Sequence, residues 1–147
     1  MPTFEPADPD FAARMRESFR TQGVMALMGA ELLRVEPGVV EMEFAYREDL
    51  TQHHGYLHAG VLTTIVDSAC GYAAYSLMPV GSDVLTVEYK VNFLAPARGA
   101  RFRAIGRVIK PGRTLTVCSG EVLALDGEST KTVAVMQATM MRLPTTN

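Results

Sequence analysis

The chain has 147 residues, 14 basic and 16 acidic side chains for a net charge of −2, and an apolar content of 48%. That length predicts one domain burying roughly two-thirds of its unfolded surface, and so apolar a composition excludes a disordered chain. The near-balanced charge gives no reason for nucleic acid as the main partner, and two cysteines, Cys70 and Cys118, are too few for a disulfide scaffold.

In chain order, residues 1–10 are rich in Pro and Asp and carry no apolar run. They predict an arm rather than a signal peptide, and with it a soluble, cytoplasmic protein of one domain spanning 1–147. Asp8 or Asp10 would cap a helix in which Phe11, Met15 and Phe19 recur every four residues. Residues 28–35 predict a short strand, Pro37-Gly38 a turn, and the alternation through residues 39–46 its hairpin partner. A long central helix over 59–78 follows. Four more strands are predicted near 84–94, 100–109, 114–125 and 131–142, the last two joined at Asp126-Gly127, a hairpin signal.

The central helix carries the chemistry. From Leu50 to Ser82 Asp67 is the one formally charged side chain, and His53, His54 and His58 all open this stretch. With Asp67 at its middle and Thr63, Thr64 and Ser68 around it, the apolar run is no membrane span. It reads as a helix apolar on nearly every face and wrapped by a sheet. An unpaired buried carboxylate is expensive, so Asp67 predicts a site rather than a packing residue.

If the helix starts near His58, the N–H groups of Ala59 and Gly60 lack intrahelical partners and lie at the positive end of the helix dipole. Such groups suit a carbonyl oxygen that gains negative charge during acyl transfer. Asp67 lies nine residues beyond His58, about 13 Å along the axis and roughly half a turn around it. One helix therefore does not bring both groups to one carbonyl, whereas two antiparallel copies do. That geometry predicts a homodimer with sites at the interface.

The run from Gln52 through Gly55 and His58-Ala59-Gly60 to Asp67 resembles the signature of hotdog-fold acyl-CoA thioesterases of the phenylacetate-pathway (PaaI-like) type. That signature has an Asn or Gln, a Gly, His-Gly-Gly, and an acid eight residues after the first glycine of that pair. The segments VLTVEYKVNFLAPA (84–97) and KPGRT (110–114) also match the family. The resemblance implies an α+β hotdog domain, a long helix wrapped by an antiparallel sheet, dimeric or tetrameric, that hydrolyses acyl-CoA to a free acid and coenzyme A. It implies that Asp67 activates water or attacks the thioester and that the Ala59 N–H polarises the carbonyl. It also implies that Gln52 positions carbonyl or water and that Thr86 helps hold the water. His-Ala-Gly in place of His-Gly-Gly and Gln in place of Asn are departures from the pattern. His58 opens the helix, where capping and packing compete with a general-base role. Coenzyme A is then part of the substrate, and no metal or bound cofactor is expected.

From Tyr89 to Gly120 there are seven basic residues and no acid. A coenzyme tail would favour this surface, Lys110, Arg113 and Thr114 in particular. Two rival readings stand beside hydrolysis. A hydratase or dehydratase acting on acyl thioesters would depend on His58, and a non-catalytic acyl-CoA sensor would bind without turnover.

Overall fold

The computed structural model describes residues 3–145, so Met1 and Pro2 of the expected arm lie outside the described residues. Helix α1 (Phe11–Arg20) follows, but neither aspartate caps it through its side chain. Instead Asp8 Oδ1 accepts the Asp10 N–H at 2.9 Å, fastening the turn before the helix. The periodic stripe of α1 turns Met15 fully into the core.

The strand expected from residue 28 begins later, because a second helix, α2 (Gly23–Met28), occupies the preceding segment. Gly29 ends it with φ +69°, and the Ala30 N–H closes back onto the Met25 carbonyl at 2.9 Å. A left-handed residue of that kind suits glycine, and the chain leaves the helix directly into β1 (Glu31–Glu36). The Pro37-Gly38 turn returns it as β2 (Val39–Ala45), whose Val40, Met42 and Phe44 are wholly buried. Phe44 stacks on Phe102 with ring centroids 5.7 Å apart.

Helix α3 (Ala59–Tyr75) is followed by β3 (Ser82–Phe93), β4 (Arg101–Lys110), β5 (Leu115–Asp126) and β6 (Ser129–Pro144). The strands form one antiparallel sheet in the order β1-β2-β4-β5-β6-β3. The β5–β6 connection is the Asp-Gly hairpin expected, with Gly127 at φ +59°. A long helix held against a curved antiparallel sheet is the hotdog arrangement, an α+β fold.

Two glycines set how closely that helix lies on the sheet. Gly106 and Gly120 pair across β4 and β5. A Cβ on Gly106 would stand 2.3 Å from the Ala69 backbone, and one on Gly120 2.5 Å from the Val66 side chain. At Gly106 backbone therefore meets backbone, while at Gly120 the bare strand receives the Val66 and Cys70 side chains of the helix. Arg14 ties α1 to the far end of α3. Its guanidinium donates to the Met78 carbonyl at 2.7 Å and lies 4.7 Å over the Tyr75 ring. Asp8 stands 3.1 Å from Arg14 Nε, close enough to pair in charge though not aligned as a hydrogen bond.

The expectation that α3 is apolar on nearly every face needs correction. Leu62, Ile65, Val66, Ala69, Cys70 and Ala73 are buried. Gly60, Thr63, Thr64, Asp67, Ser68 and Gly71, at helical spacing, make a stripe that this chain leaves partly open. The acid-free basic segment is likewise less bare than its sequence suggests. Arg101 and Arg103 both pair with Glu43 of β2, and Arg107 meets Glu121 of β5 at 2.9 Å. Burial alone would push the Glu43 carboxyl up, but the two guanidiniums overcome it and hold it below the usual carboxylate range. Lys110 and Arg113 take no carboxylate partner among the described residues.

Candidate active site

The loop before α3 is closed by its own hydrogen bonds. Gly55, at φ +83°, lets the chain reverse so that the Gln52 N–H reaches the Tyr56 carbonyl at 2.9 Å and Thr51 bridges Leu57. The Gln52 side-chain oxygen accepts the His54 N–H. His58 then sits at the N-cap with extended backbone, and its Nδ1 accepts the Gly60 N–H at 2.8 Å. An accepting Nδ1 places the ring proton on Nε2. The two amides at the helix start are thus not equivalent. That of Gly60 is committed to the cap, while the Ala59 N–H has no acceptor among the described residues and lies exposed.

Two turns along the helix, Asp67 Oδ1 accepts the Thr86 hydroxyl proton at 2.7 Å. Burial pushes the Asp67 carboxyl above its ordinary value, and the Thr86 hydrogen bond, which favours the ionised form, offsets part of that rise. Thr86 reaches the helix because of a bulge in β3. The pairing with β6 runs from Thr86 opposite Met140 directly to Glu88 opposite Thr139, so Val87 is the extra residue. Beyond it the facing parity switches, and Tyr89, Val91 and Phe93 line the space beside α3. Apolar parity alone would have turned Leu85 and Val87 inward. They are 55% and 48% exposed, and the polar Thr86 points at the helix instead.

Two adjoining spaces meet at Asp67. An open groove of about 550 Å³ runs past Ala59, Gly60, Thr63 and Asp67, with Tyr89 and Phe93 opposite. A narrower cavity of about 290 Å³ continues along the helix between Asp67, Tyr72, Thr86, Ser18 and Gln22. The half-turn offset expected between the helix start and Asp67 therefore does not hold. It was counted from His58, whereas Gly60 is two turns from Asp67 and shares its face. The axial separation does hold, at about 12 Å from Ala59 to Asp67.

Gln52 lines neither space; it lies in the loop at the amide end of the helix. Lys110, Arg113 and Thr114 are exposed on the β4–β5 turn, where Arg113 and Arg142 share a pocket at the other end of α3. The sequence reading had no place for Ser18 and Gln22, which meet at Tyr72. Their hydrogen bonds join α1 and the α1–α2 corner to α3. The signal available was the spacing of Asp67, Ser68, Gly71 and Tyr72, which continues the open stripe along one helix face.

The model of the thioesterase superfamily matches residues 54–131. A protein of Saccharolobus solfataricus named as an esterase is 34% identical over 117 residues, 80% of this chain and 76% of its own length. A 1,4-dihydroxy-2-naphthoyl-CoA hydrolase of Listeria monocytogenes is 24% identical over 118 residues, 80% of this chain and 94% of its own. The crystal structure of a thioesterase family protein from Silicibacter pomeroyi superposes with a TM-score of 0.90 at 50% identity, covering 91% of this chain and 98% of that one.

Proposed function

Since the chain belongs to the thioesterase superfamily, we propose that it hydrolyses acyl-CoA thioesters to a free acid and coenzyme A. The observation that carries this reading is Asp67, a partly buried carboxylate with a raised pKa and held by Thr86 at 2.7 Å, facing a groove that also contains an unpaired helix-start amide at Ala59. In this mechanism the Asp67 carboxylate takes a proton from water as the water oxygen attacks the thioester carbonyl carbon. The carbonyl oxygen becomes an oxyanion that accepts the Ala59 N–H. Collapse re-forms the carbonyl and breaks the C–S bond, and the departing sulfur recovers the proton from Asp67. The balance is one thioester and one water consumed, one acid and one thiol released.

About 12 Å separates Ala59 from Asp67 on one helix, whereas both groups must lie within hydrogen-bond reach of the same carbonyl and its water. The reading therefore uses two chains, with the partner's Ala59 and the partner's Gln52 brought to Asp67 and Thr86 of this one. Antiparallel helices arranged so cross at the midpoint of 59 and 67, which is Thr63. The open stripe and the exposed Tyr89 and Phe93 beside it support that arrangement, since both are surfaces a second copy would cover. Lys110 and Arg113 supply unpaired cations for the coenzyme phosphates. A hydratase would need a free histidine base, and His58 has given Nδ1 to the helix cap.

The test is thiol release across a panel of acyl-CoA substrates, run with wild type and Asp67→Asn. Wild type is expected to turn over, and Asp67→Asn to bind acyl-CoA but lose at least ~10²-fold in kcat. Near-normal release by that variant would sink the mechanism, and binding without turnover by wild type would favour a sensor.

A further inference from the structure

The Thr86 hydroxyl has one proton to give and two acceptors within reach. It donates to Asp67 Oδ1 at 2.7 Å, and the Met140 sulfur stands 3.4 Å from the same hydroxyl oxygen. Resting on the hydrolase reading above, we propose that Met140 is a positioning residue. Its thioether accepts the Thr86 hydrogen bond while Asp67 carries the proton drawn from water, and releases it when Asp67 is discharged.

The placement follows from the strands. Met140 of β6 lies directly opposite Thr86 of β3 and Thr116 of β5, and its side chain is fully buried. A thioether has no proton and accepts only weakly. It therefore does not compete with an ionised carboxylate, which draws the Thr86 proton more strongly. A neutral carboxyl is different, since it has an O–H of its own to place. The Asp67 O–H then donates to Thr86 Oγ1, and the Thr86 proton, displaced from Oδ1, needs another acceptor. Water supplies one in the open chain, where Thr86 is exposed. With an acyl group in the groove that water is expelled, and the sulfur, on the buried side, is the acceptor left. No bond to sulfur forms and Thr86 keeps its proton. The hydroxyl turns about its C–O bond as Asp67 fills and empties.

No other titrating group makes this contact among the described residues. Asp83 of β3 and Tyr72 and Tyr75 of α3 share the cavity with Asp67, and Tyr89 of β3 lines the groove on the other side. Cys70 lies three residues along α3, its thiol pushed well above its ordinary value by burial. From α1 and the α1–α2 corner come only Ser18 and Gln22, which do not titrate, and no Lys, Arg or His lines either space.

The experiment records kcat and kcat/KM against pH for wild type, Met140→Leu, Thr86→Val and the double variant, with an acyl-CoA that wild type turns over. Leucine keeps the volume and removes the acceptor. Neutral Asp67 is then less stable in the occupied site, so the acidic limb of kcat, which reports the bound enzyme, should move down by about 0.4 pH unit or more. The limb of kcat/KM, which reports the free enzyme with water on Thr86, should move less. In Thr86→Val, which has no hydroxyl to turn, adding Met140→Leu should move neither limb. Met140→Ile, a second apolar side chain suited to a strand, keeps the test open if Met140→Leu folds poorly. A loss of kcat equal at every pH, with both limbs in place, would make Met140 a packing residue and overturn the inference while the hydrolase reading stands. The same shift with and without the Thr86 hydroxyl would overturn it too. Failure of wild type to release thiol from any member of the acyl-CoA panel would overturn both.

Discussion

Asp67 works under two opposed demands. Burial raises its pKa because the charged form loses hydration, yet the proposed chemistry needs the charged form. A carboxylate whose folded-state pKa lies above its unfolded value binds protons more readily in the folded chain. Stability is therefore lost as pH rises through that range, and the ionised group weakens the fold at neutral pH. Asp67→Asn should accordingly melt at a higher temperature than wild type at pH 7. The gap should close as pH falls below the ordinary carboxylate range, where wild type is neutral too. Melting curves recorded across that interval decide the matter, and a variant less stable than wild type at pH 7 would mean that the Thr86 bond outweighs desolvation. Asp67 was legible in the sequence because no other charged side chain lies between Leu50 and Ser82. Thr86 as the group that holds it was not, since a bulge at Val87 leaves no mark in an alternating strand. Nor was the loss of the Gly60 amide, which depends on the rotamer that turns His58 Nδ1 back onto it.

Between elements, the depth at which α3 sits is set by Gly106 and Gly120. Because a Cβ on Gly106 would meet backbone atoms of Ala69 at 2.3 Å, no side chain can turn aside to admit it, and the helix itself must shift. Gly106→Ala is expected to cost roughly 1–3 kcal/mol or more, the range for overpacking a tight interior. Urea denaturation measures this, and an unchanged midpoint would show the helix free to move. The strands themselves were readable from alternation and from the Pro-Gly and Asp-Gly turns. Helix α2 was not, because six residues are too few to display a period, and its stop signal, Gly29, falls inside the segment 28–35 that reads as a strand. Basic residues of β4 were misread for a different reason. Their acids stand on neighbouring strands, Glu43 and Glu121, and pairing across a sheet has no fixed spacing along the chain. Lys110 and Arg113, at the β4–β5 turn, are among the basic residues without a carboxylate partner among the described residues. If Arg113 there meets coenzyme phosphates, Arg113→Ala should raise KM for acyl-CoA more than it lowers kcat. Pantetheine thioesters, which lack the nucleotide, should be indifferent to the change. Equal effects on both substrates would assign Arg113 to packing beside Arg142 instead.

At the scale of the whole molecule, one chain holds every proposed group but not in one place. Gln52 and Ala59 lie at the start of α3, and Asp67 and Thr86 about 12 Å along it. In the proposed dimer a two-fold axis near Thr63 would make two complete sites from two incomplete halves, and this has a consequence that a self-contained site lacks. Homodimers of Gln52→Ala and of Asp67→Asn each have both sites damaged. In a mixed dimer with a shared interface, one site receives both lesions and the other receives neither. After a 1:1 mixture is unfolded and refolded, random two-fold assembly makes about half the dimers mixed, and about a quarter of all sites should be intact. Thiol release should therefore recover to about a quarter of the wild-type rate, from two proteins that are each nearly inactive. If Gln52 and Asp67 of one chain instead met in one pocket, every pocket would carry a lesion and mixing would restore nothing. That second result, with subunit exchange verified by native mass spectrometry, would leave Asp67 and Thr86 as the reacting pair. It would require the loop at Gln52 to close over its own helix, a movement that its bonds to His54 and Tyr56 oppose.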